Sequence, residues 1–201
     1  MPNQLTLLQK LEQGAARRQL DKFSKESLTW FRKEVRGISG KTARRDLIND
    51  AKKTNAFRAI PRPGYMYMFI YDALHADKLP YFDAFPLIVM VGPAPGGFYG
   101  INLHYLPPKP RAVLFDNLIS IASDRRYDEK TKLKLSYNLL QLSSKYKLYK
   151  PCFKHYLFSQ LKSRLVFVSA EHWDAALFLP TANFQGAINT KVWSDSMLEV
   201  Q

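Results

Sequence analysis

A cluster of acidic and imidazole side chains occupies one short segment and could bind a metal ion. Its members are Asp72, His75, Asp77 and Asp83. Carboxylate and imidazole ligands hold Mg²⁺ or Mn²⁺ in metal-dependent nucleases. Such a site needs ligands that converge from rigid elements, whereas these residues lie on a predicted loop that contains Pro80. We therefore expect no metal site here and keep a metal-dependent nuclease as an alternative hypothesis.

Two shorter patterns resemble parts of catalytic motifs, but neither is complete. Gly40-Lys41-Thr42 matches the end of a phosphate-binding P-loop, yet the first glycine of that motif would fall at Val35, and the preceding segment predicts a helix instead of a strand. Cys152, the single cysteine, needs an activating histidine to act as a nucleophile, and a Cys-x-x-His pattern with His155 is weak support for one. His104 lies in a predicted strand, where we expect a packed or hydrogen-bonded residue. The sequence therefore predicts no catalytic residue, no metal and no cofactor, and a protein that is not an enzyme.

Positive charge is concentrated at the start of the chain. The formal net charge is +13, and residues 1–62 hold 15 of the 30 lysines and arginines but only 6 of the 17 acidic residues. Such a field attracts phosphate polyanions, and contacts to the DNA backbone do not depend on base sequence. The candidate DNA-binding residues are Arg32, Lys33, Arg36, Lys41, Arg44, Arg45, Lys52 and Lys53. The alternatives are contact with an acidic protein surface and a solvated face that serves solubility.

The candidate DNA-binding residues lie on predicted helices. Ser24 is a predicted N-cap, because its hydroxyl can accept a hydrogen bond from the free N–H groups of a helix start. Gly37–Gly40 ends that helix, and a second helix is predicted over Thr42–Ala56. The second helix has few apolar residues, which indicates an arm that docks on something else.

A proline-rich hinge at Pro61–Gly64 divides the predicted chain into a basic helical arm, 1–62, and an α+β core domain, 63–201. The predicted strands of the core are Tyr65–Tyr71, Pro86–Val91, Phe98–Tyr105, Leu165–Val168 and Ala175–Leu179, of which the first three form an antiparallel meander. The predicted helices are Arg111–Ser123, Lys132–Leu142 and Cys152–Arg164. We expect a small SH3-like barrel or a curled sheet surrounded by helices. Aromatic residues of Asp83–Pro86 and Leu103–Pro108 are predicted to pack together and close the barrel. The alternative is that they form a platform on which bases stack.

Nothing in the sequence predicts a membrane partner. No run approaches about 18 apolar residues, and the first residues do not resemble a signal peptide. A single cysteine cannot form an internal disulfide, so the fold needs no oxidising compartment. We expect a protein of the cytoplasm, or of a particle that is assembled there.

Several distinctive strings make the chain similar to a known family. They are Gly64-Tyr-Met-Tyr-Met-Phe-Ile-Tyr-Asp72, Leu79-Pro-Tyr-Phe-Asp-Ala-Phe-Pro-Leu87, Gly96-Gly-Phe-Tyr-Gly-Ile-Asn-Leu-His-Tyr-Leu-Pro107, Leu135-Ser-Tyr137, Tyr149-Lys-Pro-Cys152 and Val192-Trp-Ser-Asp-Ser-Met197. With these strings the chain resembles a family of minor virion proteins of large contractile-tailed phages, the DNA end protector proteins.

The resemblance implies a virion protein that binds the end of the packaged genome near the head–tail junction and shields it from host exonucleases. It also implies other virion proteins of the neck, tail or baseplate as partners. The alternative is a structural adaptor of the neck, tail or baseplate that binds an acidic protein surface. The resemblance assigns no catalytic residue.

Overall fold

The computed structural model describes residues 5–21, 24–122 and 144–201. Its α-helices are α1 (Leu7–Arg17), α2 (Lys25–Glu34), α3 (Gly40–Lys53), α4 (Pro108–Ala122), α5 (Trp173–Phe178) and α6 (Asn189–Val200). Its strands are β1 (Phe57–Arg58), β2 (Met66–Met68), β3 (Phe82–Asp83), β4 (Leu87–Ala94), β5 (Gly97–Asn102), β6 (Phe153–Leu157), β7 (Leu165–Val168) and β8 (Phe184–Gln185). Short 3-10 turns follow α2 at Val35–Gly37 and precede β6 at Ser144–Cys152.

Hydroxyl side chains start the three N-terminal helices. Thr6, Ser24 and Ser39 each accept a hydrogen bond from the backbone N–H three residues further on. Such caps satisfy N–H groups that a helix start leaves unpaired. The predicted N-cap at Ser24 is therefore confirmed, and the segment Gly40–Thr42 forms the first turn of α3 and not a phosphate-binding loop after a strand.

Six strands form one antiparallel sheet in the order β1-β7-β2-β4-β5-β6, and β3 pairs with β8 in a second, two-stranded sheet. The predicted meander is confirmed, because β4 pairs with β2 on one side and with β5 on the other. Gly96 has a φ of 66° in the turn between β4 and β5. Glycine adopts that value without the steric cost that a side chain would impose.

The two faces of the large sheet are both buried but have different neighbours. Side chains alternate between faces along a strand. Met66 and Met68 therefore belong to the main hydrophobic core, which the sheet shares with the helices, whereas Tyr67 belongs to an aromatic cluster on the other face. Beyond β2, Tyr71 forms an isolated bridge with Leu161, which lies between β6 and β7, and Leu161 packs against the aromatic cluster that contains Tyr71. Among the described residues the strand order does not close on itself, so an α+β fold with an antiparallel sheet is confirmed and an SH3-like barrel is not.

Two segments have the opposite secondary structure from the one predicted. The helix predicted over Cys152–Arg164 is wrong, because its first part is strand β6, which satisfies the backbone groups of β5. The strand predicted over Ala175–Leu179 is wrong, because this segment belongs to α5 and its apolar run reflects burial on all sides of a short helix. The helix predicted over Lys132–Leu142 lies outside the described residues. The strand predicted over Leu165–Val168 is confirmed as β7.

The first helices pack into the same hydrophobic core as the sheet. Phe31, Ala43 and Leu47 are at most 3% exposed and belong to the same cluster as the sheet. Strand β1 pairs with β7, which joins residues on either side of the predicted boundary. The small side chain of Ala43 lets α3 approach closely, so a thin apolar stripe is enough to dock it. The domain boundary at residue 62 stays a prediction. No helix within the described ranges is long and apolar enough to cross a membrane.

Candidate nucleic-acid interface

Most of the candidate DNA-binding residues are exposed. Helix α3 buries a stripe that recurs every four positions from Ala43 to Ala51. Lys41, Arg45 and Lys52 lie on the opposite side of this helix, because a helix turns once in about 3.6 residues, and all three are exposed. Together with the other exposed candidates, on α2, on its 3-10 turn and at the end of α3, they are called the basic set. Its members are Lys33, Arg36, Lys41, Arg45, Lys52 and Lys53.

The cations of the basic set have few internal partners. Arg45 pairs with Asp46 across 3.1 Å, and both side chains are exposed to solvent. Such a pair contributes at most about 1 kcal/mol. The other five members form no ion pair with any residue that the structure describes. Arg32, which was also a candidate, is partly buried. The basic set therefore presents charge that the described fold itself does not neutralise.

Arg44 is oriented differently from its neighbour Arg45. Its Nη1 atom donates to the carbonyl oxygens of Thr181 and Ala182 across 3.4 and 3.3 Å. Partial burial lowers the pKa of Arg44, while nearby Asp83 opposes this shift. The guanidinium holds α3 to the segment before β8, so we leave Arg44 out of the basic set.

A buried polar network includes Thr181, the residue whose carbonyl oxygen accepts from Arg44. Asp83 Oδ2 is 2.7 Å from His104 Nδ1 and 3.1 Å from Asn102 Nδ2, and His104 Nε2 is 3.0 Å from Thr181 Oγ1. All four side chains belong to residues that are at most 3% exposed. The other carboxylate oxygen of Asp83 accepts two backbone N–H groups, at 3.0 and 3.1 Å. The term buried network is used below for Asp83, Asn102, His104 and Thr181.

The protonation of the buried network follows from its surroundings. Burial alone would raise the pKa of Asp83, but His104 and the hydrogen bonds from Asn102 and from the Phe85 N–H outweigh it, and the pKa lies below its usual value. Burial lowers the pKa of His104 by more than Asp83 raises it. A neutral His104 therefore donates from Nδ1 to an ionised Asp83, and its Nε2 accepts the Thr181 hydroxyl proton.

The buried network has the order of groups found in acyl-transfer triads, namely carboxylate, imidazole and hydroxyl. However, His104 and Thr181 are 0% exposed, so a substrate carbonyl cannot reach the hydroxyl. The arrangement stabilises the junction of β3, β5 and β8. The prediction that His104 is a packed or hydrogen-bonded residue is confirmed, but it lies in the 3-10 turn Leu103–Tyr105 and not in a strand, because β5 ends at Asn102. Sequence reasoning missed Thr181 and Asn102, since no local motif marks a contact between residues 77 positions apart.

The other candidate chemical groups do not converge. Asp72, His75 and Asp77 are exposed, whereas Asp83 belongs to the buried network. In the described parts of the chain, no group of three or more His, Cys, Asp or Glu could hold a metal ion. Cys152 is buried, its thiol donates to the Leu148 carbonyl, and burial raises its pKa to about 12. A thiol with that pKa is a poor nucleophile at neutral pH.

Comparison with known families gives an observation that is independent of this geometry. Residues 12–196 match the model of a family described as phage T4 terminal DNA protecting protein. The chain belongs to this family. No match was found among curated proteins or among solved structures.

The family of terminal DNA protecting proteins is the one that the sequence strings predict, so the resemblance is confirmed. The matched range contains the whole basic set and the whole buried network. Protection of terminal phage DNA therefore stands as the general function, with DNA as the partner. The contacts of the basic set with DNA stay a prediction.

Proposed function

We propose that this chain binds the ends of a linear phage genome inside the virion, near the head–tail junction, and shields them from exonucleases without cleaving DNA. The observation that carries this proposal is the basic set, six exposed cations of which five have no ion pair among the described residues, in a chain of the terminal DNA protecting family. Uncompensated surface cations bind a polyanion by releasing the counterions that surround it.

The spacing of the basic set suits a phosphate backbone. Lys41 and Lys52 are eleven residues apart on one side of α3, a distance of about 16 Å at about 1.5 Å per residue. Duplex DNA carries about one charge per 1.7 Å of its axis, so one helix face can contact several phosphates. Lys52 and Lys53 also lie at the C-terminal end of α3, where the helix dipole favours positive charge.

The arrangement of acidic and nucleophilic groups supports a role without catalysis. Asp83 and Cys152 are buried and hydrogen-bonded, and Asp72, His75 and Asp77 lie on an exposed loop apart from Asp83. Incubation of end-labelled linear DNA with the protein and Mg²⁺ or Mn²⁺ tests this point. We expect intact DNA, and cleavage that a chelator abolishes would favour the metal-dependent nuclease.

A structural adaptor of the neck, tail or baseplate is the second candidate function. The observation that favours it is the same set of exposed cations, because an acidic protein surface can neutralise them as a DNA backbone does. In this role the basic set would pair with an acidic protein surface. The two functions differ in what a charge reversal disrupts.

The deciding experiment reverses four charges of the basic set, at Lys41, Arg45, Lys52 and Lys53, each to Glu. A matched control reverses four exposed lysines outside the N-terminal helices, namely Lys109, Lys147, Lys150 and Lys162. We expect the first variant, but not the control, to lose DNA binding and the protection of linear duplex from a processive exonuclease. Intact protection by the first variant together with failed particle assembly would favour the adaptor.

A further inference from the structure

Phosphate contacts alone do not distinguish the end of a duplex from its middle. Cations such as those of the basic set bind the backbone along its entire length. A protein that protects ends needs a further contact that only a terminus offers. A terminus offers the exposed face of its last base, together with a nucleotide that can leave the stack at low cost because it has a neighbour on one side only.

A cleft with aromatic walls lies between β6, the segment that follows β2 and helix α6. Its volume is about 510 Å³, within the range of about 300–1,000 Å³ that is usual for small-ligand sites. Tyr71, Tyr81, Tyr105 and Tyr156 line it. Tyr81 is partly exposed and offers its ring to a ligand, whereas the other three are at most 8% exposed and form the floor of the cleft. Aromatic rings of this kind bind bases of any sequence, because every base has a π-face.

A cation and an unpaired hydroxyl lie in the same cleft. Lys154 on β6 places its Nζ atom 4.1 Å from the centre of the Tyr105 ring and forms no ion pair with any described residue. Burial lowers the pKa of Lys154, while Cys152 and Glu199 oppose the shift. Ser196 also lines the cleft, and its buried hydroxyl has no hydrogen-bond partner within the described parts of the chain. Both groups can bind an anionic oxygen.

Two carboxylates line the cleft as well. Asp83 is already bound by the groups of the buried network. Glu199 is exposed at the rim, where solvent screens its repulsion of a phosphate. A carboxylate in that place can accept a hydrogen bond from an amino group of a base or from a sugar hydroxyl.

We infer that this cleft binds the terminal nucleotide of a DNA strand, with the base against the Tyr81 ring and a phosphate on the Lys154 ammonium. The inference rests on the proposed function and explains how binding is directed to ends. The phosphate is either the 5′-terminal one or the first one between nucleotides, and duplexes with a 5′-phosphate or a 5′-hydroxyl distinguish these sources.

The test compares two DNA probes that have the same sequence and backbone. One is a blunt-ended linear duplex, and the other has both ends closed by hairpin loops. We expect the full-length protein to bind the open duplex at least about tenfold more tightly, because base stacking and a charge-assisted hydrogen bond are available only there. In the variant Lys154→Met this ratio falls several-fold, because the charge-assisted hydrogen bond is lost, while the affinity for the closed probe is unchanged. The control Lys162→Met, which changes an exposed lysine outside the cleft, keeps the ratio.

The outcomes separate this inference from the proposed function. Equal binding of both probes by the unchanged protein, or a full ratio in the Lys154→Met variant, overturns the terminal-nucleotide site and leaves backbone binding intact. Failure to bind either probe at low salt overturns the proposed function itself. A measurement that needs no variant is competition by a deoxynucleoside 5′-monophosphate. If the cleft is the site, the nucleotide lowers the affinity for the open duplex to that for the closed probe. An affinity for the open duplex that the nucleotide leaves unchanged contradicts the inference.

Discussion

The buried network and the basic set use polar side chains in opposite ways. In the buried network Asp83, His104 and Thr181 satisfy one another inside the fold, at distances of 2.7 and 3.0 Å, and are at most 3% exposed. All six cations of the basic set are exposed, and five of them have no ion pair among the described residues. Groups that satisfy each other stabilise a fold, whereas groups left unsatisfied are available to a partner.

Two adjacent residues of α3 show the same contrast. Arg44 donates to carbonyl oxygens of the segment that contains Thr181, and so belongs with the buried network. Arg45 is on the solvent side, where its side chain is 67% exposed. Residue type and position in the chain are nearly the same, so the direction of the side chain decides the role.

The largest expected effect is the loss of the carboxylate at the centre of the buried network. The variant Asp83→Ala leaves the His104 and Asn102 donors and two backbone N–H groups without their acceptor. Its free energy of unfolding should fall by about 3–5 kcal/mol, measured by denaturant titration. The control Asp46→Ala removes an exposed partner and should change it by less than about 1 kcal/mol. Similar stabilities for the two variants would contradict a structural role for the network.

Replacement of the two adjacent arginines sharpens the comparison further. Arg44→Ala should lower the free energy of unfolding by about 1–2 kcal/mol, because two carbonyl oxygens lose a charged donor at a partly solvated site. It should leave DNA affinity nearly unchanged. Arg45→Ala should show the reverse, with normal stability and a DNA affinity that is lower by a few-fold. Denaturant titration and fluorescence anisotropy measure the two quantities, and equal losses from both variants would remove the distinction.

A smaller effect is expected from pH. The folded state lowers the pKa of His104 below its ordinary value of 6.5 and that of Asp83 below 3.8. The unfolded chain therefore binds more protons as the solution becomes acidic. Stability should be highest above pH 6.5 and fall as pH decreases, with His104 contributing up to about 1.4 kcal/mol per pH unit.

Measurement of unfolding free energies between pH 7 and pH 5 tests this sign. The His104→Gln variant should lose the corresponding part of the slope, whereas His155→Gln, a change at an exposed site, should keep it. A slope that is the same in all three proteins would show that His104 binds protons equally in the folded and unfolded states.

The sequence predicts those parts of the structure that depend on local signals. The Ser24 cap, the meander of β2, β4 and β5, and the exposure of most candidate cations follow from hydroxyl position, alternation and charge. Strand β6 could not be predicted, because its apolar residues fit a helical period and only the free edge of β5 selects a strand. Helix α5 was missed since a segment buried on all sides has no polar face to reveal its period.

The buried network could be predicted only in part. The flanking residues of His104 indicate a packed imidazole, but its partners come from β3 and from the segment before β8. By residue type alone, Asp83 fits a ligand in a metal-binding loop as well as it fits a buried partner of His104. The inward direction of Arg44 depends on the position of Thr181, 137 residues further along the chain. Long-range packing decides these points, and one sequence does not display it.

The most direct test of the account is the salt dependence of DNA affinity. If about six phosphates are neutralised, a log–log plot of affinity against salt concentration should have a slope near −5 for the unchanged protein. Replacement of Lys41, Arg45, Lys52 and Lys53 by Gln should make the slope shallower by about 3–4. A flat titration of the unchanged protein, or a slope that these four replacements leave intact, would contradict phosphate binding by the basic set.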